Sequence, residues 1–75
     1  MDTLNNLKDN EKAIVLDLTA TDETRRRLQD IGLIRGTQVL CLMHSPLGDP
    51  VAYNIRGAVI ALRSEDAAMV IVKKM

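Results

Sequence analysis

Apolar residues come in short alternating or β-branched runs at five places along the chain, and at only one place do they recur at helical spacing. The runs predict strands over Lys12 to Leu18, Thr37 to His44, Val51 to Arg56, Val59 to Leu62 and Met69 to Lys73. Strict alternation sets their faces. In the first, Ile14, Leu16 and Leu18 share one side and Ala13, Val15 and Asp17 the other. In the second, Val39, Cys41 and Met43 oppose Leu40, Leu42 and His44, and in the third, Val51, Tyr53 and Ile55 oppose Ala52, Asn54 and Arg56. The helical stretch follows Thr21 or Asp22 as cap. Thr24, Leu28 and Ile31 then fall on one side at spacings of four and three, and Gly32 stands where a left-handed C-cap is needed.

Before the first strand, Leu4 and Leu7 stand out as core plugs in a polar lead-in over Thr3 to Glu11. Gly36 eases the turn into the second strand, and Gly48 does the same within the proline-flanked loop Ser45 to Pro50. Gly57 makes the tight hairpin Arg56-Gly57-Ala58. Ser64 can cap a single helical turn before the last strand. The whole, residues 1–75, is expected to be one mostly-β domain. Its expected form is a small, curved five-stranded barrel with one short helix after the first strand and a one-turn helix before the last. Closure would leave few unpaired sheet edges.

Composition narrows the function classes. Ten basic and ten acidic side chains give zero formal net charge, so no general attraction to nucleic acid or anionic lipid follows. The core must be aliphatic, because Phe and Trp are absent and there is a single Tyr. One cysteine excludes an internal disulfide and a paired-cysteine zinc motif. The first residues lack the basic and apolar regions of an export signal, and no apolar run approaches the roughly 20 residues that span a bilayer. Direct membrane insertion is therefore not expected, and a cytoplasmic location is the default.

Candidate chemistry is sparse. Cys41 and His44 offer sulfur and imidazole to a transition metal, with Asp49 across the loop as a further oxygen. Alternation sends Cys41 and His44 to opposite faces, however, which weakens both a metal site and a nucleophile and base pair. Gly32-x-x-x-Gly36 lacks the lysine and hydroxyl residue of a phosphate loop. The simpler reading makes Cys41 a core residue and Asp49 a loop cap. Catalysis and resident cofactors are not expected. Arg25, Arg26, Arg27 and Arg35 form a basic region beside aliphatic Leu33, Ile34 and Leu47. That mixture suits protein docking, with an apolar centre and charges that orient. Arg26, Leu33, Arg35 and Leu47 are the expected contacts.

The run Arg26-Arg27-Leu28-Gln29-Asp30-Ile31-Gly32-Leu33-Ile34-Arg35-Gly36-Thr37 strongly resembles the FeoA family, the small cytosolic component of bacterial ferrous-iron transport. Ser45-Pro46-Leu47-Gly48-Asp49-Pro50 through Gly57, and Ile60 through Ala67, resemble it too, in the same order. The resemblance implies an SH3-like barrel and a non-enzymatic accessory role with FeoB, a membrane ferrous-iron transporter that carries a GTP-binding domain. It also implies a location peripheral to the inner membrane through that partner. Ile34-Arg35 departs from the threonine-proline or similar pair expected before Gly36. Two alternatives stay open: an SH3-like module related to metal-responsive transcription regulators, and direct transition-metal binding. Self-association is also left open.

Overall fold

The computed structural model describes residues 2–75. It contains strand β1 (Asp2–Thr3), a 3-10 turn (Leu4–Asn6), β2 (Lys12–Leu18), helix α1 (Asp22–Asp30), β3 (Gln38–His44), β4 (Val51–Ile55), β5 (Ala58–Leu62), helix α2 (Ser64–Ala67) and β6 (Val70–Lys74). All strands belong to one antiparallel sheet in the order β1-β6-β2-β3-β4-β5.

The expected closed five-stranded barrel is corrected on two counts. Among the described residues there are six strands, and the sheet stays open, because β5 pairs with β4 alone and β1 with β6 alone. The missed strand is two polar residues long. It carries no hydrophobic period and joins the sheet through its backbone, Asp2 opposite Val72 and Thr3 opposite Ile71. Instead of strand closure, short segments stop the core. Leu4 and Leu7 from the lead-in, Leu28 from α1 and Ala67 from α2 are all buried in the cluster formed by Ala13, Val15, Val39, Tyr53, Ile55, Val70 and Val72. The Tyr53 hydroxyl, the one polar group of the core's one aromatic ring, donates to the Leu4 carbonyl at 3.3 Å.

Two bulges reset the alternation. In β2 the register passes from Val15 opposite Val72 to Asp17 opposite Ile71, so Leu16 is an extra residue. Ala13 and Val15 are buried before it and Leu18 after it, whereas Asp17 is exposed. The expected face of Ile14, Leu16 and Leu18 therefore does not exist as a unit. In β3 the register passes from Cys41 opposite Tyr53 to Met43 opposite Ala52, and Leu42 is the extra residue. β4 has no such break on its β5 side, and Val51, Tyr53 and Ile55 are all buried on its inner face.

Candidate functional site

Two corners of the molecule gather the residues with chemical potential. The first is built by α1 and its exit. Thr21 occupies the cap position but makes no side-chain cap hydrogen bond, and Asp22 and Glu23 lie at the positive end of the helix. At the other end Gly32, with φ 106°, donates its N–H to the Gln29 carbonyl at 2.9 Å, and Leu33 donates to Leu28 at 3.1 Å. This paired arrangement satisfies the last carbonyls of the helix and turns the chain back on itself. A Cβ on Gly32 would stand 2.8 Å from Arg56 Cδ and 3.2 Å from Ile55 Cγ2, so the turn lies directly on the end of β4.

That close approach buries Leu33 completely. Its expected part in a docking surface is corrected accordingly: it anchors the turn to the core. The neighbouring aliphatic side chain, Ile34, is 45% exposed, and Leu47 in the loop after β3 is 95% exposed. Gly36 N–H donates to the Val15 carbonyl at 2.8 Å and Val15 N–H to the Thr37 carbonyl at 2.9 Å, which fastens the turn to the β2 bulge. Between the bulge, α1 and the turn lies a cleft of about 290 Å³, with Asp17, Arg25, Gln29, Ile34 and Arg35 among its lining residues. Arg25 crosses it. One guanidinium nitrogen donates to the Leu18 carbonyl at 2.9 Å and another stands 3.7 Å from Asp17. Arg27 pairs with Asp66 at 3.1 Å. Among the described residues, Arg26 and Arg35 make no ion pair, and both are exposed.

The second corner joins the end of the lead-in to β3. Asn10 adopts φ 70°, its N–H donates to the Cys41 carbonyl at 2.7 Å, and the Cys41 N–H donates to the Glu11 carbonyl at 2.9 Å. The 9–11 turn is thus clamped against Cys41 from both sides of its peptide. The bulge then decides where His44 points. His44 lies opposite Val51, which is buried, so it returns to the side of the sheet that carries Cys41, while Met43 is left 58% exposed. The expected pairing of Cys41 with Met43 against His44 is reversed.

His44 Nδ1 lies 2.6 Å from Asp9 Oδ1, with the carboxylate accepting from the ring. Cys41 Sγ, the imidazole and the Asp9 carboxylate each offer one ligand atom, all within 4.8 Å of one another. Burial pushes the Cys41 thiol above its ordinary value, and the negative charges of Asp9 and Glu11 add to the effect. The Glu11 carboxyl is held below its usual range by the Lys8 N–H, 2.7 Å away, with help from Lys74. Asp49 is engaged elsewhere, since its carboxylate accepts from the Ser64 N–H at 2.8 Å and so caps α2. The carboxylate beside His44 is thus that of Asp9 and not of Asp49.

Residues 3–74 match the family model described as FeoA domain. The chain is 30% identical over 67 residues to an Fe(2+) transport protein A/Fe(2+) transporter FeoB fusion protein of Porphyromonas gingivalis, covering 89% of this chain and 8% of that protein. It is 32% identical over 65 residues to a protein of Campylobacter jejuni provisionally named Fe(2+) transport protein A, covering 87% of this chain and 88% of the relative. Among solved structures, the solution structure of the FeoA protein from Chlorobium tepidum superposes with a TM-score of 0.91 at 35% identity. That superposition covers 99% of this chain and 70% of the other.

Proposed function

This chain belongs to the FeoA family, and from that premise we propose that it serves ferrous-iron uptake as a non-enzymatic accessory domain docking on the cytosolic part of a FeoB-type transporter. The observation that carries this reading is the Porphyromonas gingivalis relative, in which a transport protein A and a FeoB transporter are named as one fused polypeptide. Fusion holds two modules at high effective concentration, which is useful where they work together. Among the described residues no helix is long and apolar enough to cross a membrane, so the membrane component of the proposed pair is the transporter.

The surface suits such a partner. Leu47 and Ile34 supply exposed aliphatic contact, and Arg26 and Arg35 supply unpaired positive charge that orients an incoming acidic face. With zero net charge on the chain, that orientation comes from local groups and not from the overall field. Regulation requires that the transporter bind this domain unequally in two of its states, since equal binding shifts no equilibrium.

The test is binding of the purified chain to the transporter in nanodiscs, nucleotide-free and with GDP or a GTP analogue. Binding is expected, with affinity that changes with nucleotide and falls for Leu47→Asp and for Arg35→Glu. Absence of binding in all three states would end the proposal. Normal binding by both folded variants would move the contact to another face.

A further inference from the structure

The second corner has the composition of a cation site. A thiol, an imidazole and a carboxylate converge from two chain segments 32 residues or more apart, Asp9 on the lead-in and Cys41 and His44 on β3. Such a donor set, one soft, one borderline and one hard, suits first-row ions of the zinc and cobalt type and not magnesium or calcium, which take oxygen alone. We infer that Asp9, Cys41 and His44 form a binding site for a single divalent first-row cation of the Zn2+ class. The inference stands apart from transporter docking and does not depend on it.

Distances support it. With bonds of about 2.0 to 2.3 Å, ligand atoms around tetrahedral zinc stand about 3.3 to 3.6 Å apart. Here the three ligand atoms all lie within 4.8 Å of one another, and His44 Nδ1 lies 2.6 Å from Asp9 Oδ1. Opening the latter contact by up to about 1 Å, and closing the widest by up to about 1.5 Å, is within reach of side-chain rotation of Asp9 and His44, whose side chains are 55% and 37% exposed. Cys41 need not move, because its peptide is clamped on both sides by the 9–11 turn.

The Cys41 S–H is directed at the Leu7 carbonyl, 3.8 Å away, a weak contact that coordination would replace. Glu11 is engaged by the Lys8 N–H and Lys74, and Asp49 by the Ser64 N–H, so neither competes as a ligand. On coordination the thiol gives up its proton to solvent as the metal–sulfur bond forms. The imidazole turns its Nδ1 lone pair to the ion and keeps one proton on Nε2. One proton is therefore released per ion bound when the imidazole starts neutral. The bound ion would tie the 9–11 turn to the end of β3, at the root of the loop that carries Leu47.

The test is titration of the reduced full chain with Co2+, followed by competition with Zn2+. A thiolate-to-cobalt charge-transfer band with the intense visible bands of tetrahedral cobalt is expected, saturating at one equivalent. His44→Ala and Asp9→Ala change surface side chains and leave the core intact. Each is expected to weaken Zn2+ binding by at least about tenfold, the scale on which even an outer-shell partner acts. Asp49→Ala should bind as the parent does. Cys41→Ala should lose the charge-transfer band; as a core substitution it is read only where circular dichroism shows it folded, and otherwise the two surface variants decide. No charge-transfer band in the parent, or parental affinity in both surface variants, would overturn the site.

Discussion

The two corners bring side chains together by opposite routes. At the exit of α1 the turn itself is local: Leu28, Gly32, Leu33 and Gly36 are near neighbours in sequence, and the hydrogen bonds that reverse the chain, Gly32 to Gln29 and Leu33 to Leu28, reach back at most five residues, although the finished turn is then fastened to Val15 and packed on Ile55. At the other corner, Asp9 meets Cys41 and His44 only because the 9–11 turn clamps to β3 and because Leu42 is an extra residue in its strand. The reversal at the first corner therefore follows from spacing that a short window of sequence displays. The second depends on a register that only the folded sheet sets.

The sharpest way to break that contrast is to weaken the local corner at its anchor. Leu33 is fully buried and Leu47 is 95% exposed, although both are leucines within motifs of the same family resemblance. Leu33→Ala should cost about 3 kcal/mol, in the range for a buried leucine truncated to alanine, whereas Leu47→Ala should stay within about 0.5 kcal/mol. Urea unfolding of the two variants checks this. For a domain whose whole stability is on the order of 5 to 10 kcal/mol, the first change removes a large share. Equal costs would mean that the turn does not anchor on the core as described.

A smaller effect separates two glycines of the same corner. Both take positive φ, 106° for Gly32 and 91° for Gly36, but only Gly32 has atoms in the way of a Cβ. Gly32→Ala should cost roughly 2 kcal/mol or more, from backbone strain plus displacement of Ile55 and Arg56, and Gly36→Ala about 1 kcal/mol from strain alone. Thermal midpoints of the two variants should fall in that order. The reverse order would show that the hydrogen bond from Gly36 to the β2 bulge, and not the packing of Gly32 on β4, holds the turn.

The same contrast explains what could be read from the residues. The end of α1 was legible because glycine after a helical apolar stripe has few alternatives, and the inward face of β4 was legible because Val51, Tyr53 and Ile55 alternate without interruption. Alternation failed where a bulge intervened. Nothing in Leu16 or Leu42 marks either as the extra residue, so alternation alone puts Leu18 and His44 on the wrong faces and gives no sign that Asp9 lies beside Cys41. Strand β1 was missed because two polar residues joined by backbone pairing leave no apolar signal, and with it went the open shape of the sheet. The burial of Leu33 is hidden for a related reason: an apolar residue in a turn reads as a contact until the close approach of Gly32 to β4 is known.

The smallest expected effect is invisible at neutral pH and concerns the bulged corner without metal. Cys41 and Tyr53 face each other across β3 and β4, and burial raises both the thiol and the phenol above their ordinary values of 9.0 and 10.0. For a group that is raised in the folded protein, the folded state keeps its proton where the unfolded chain has lost it. The associated stability is complete below the unfolded value and drains away as pH climbs toward the folded one. In the presence of a chelator, the urea midpoint should thus be flat with respect to these two groups from neutral pH to about 9.0, then fall. Cys41→Ala removes the first contribution, so its decline should begin only near 10.0, where Tyr53 takes over. Parallel declines in parent and variant between those two values would show that the thiol ionises as easily in the fold as in the open chain. The buried side of the corner would then be wetter than its packing indicates.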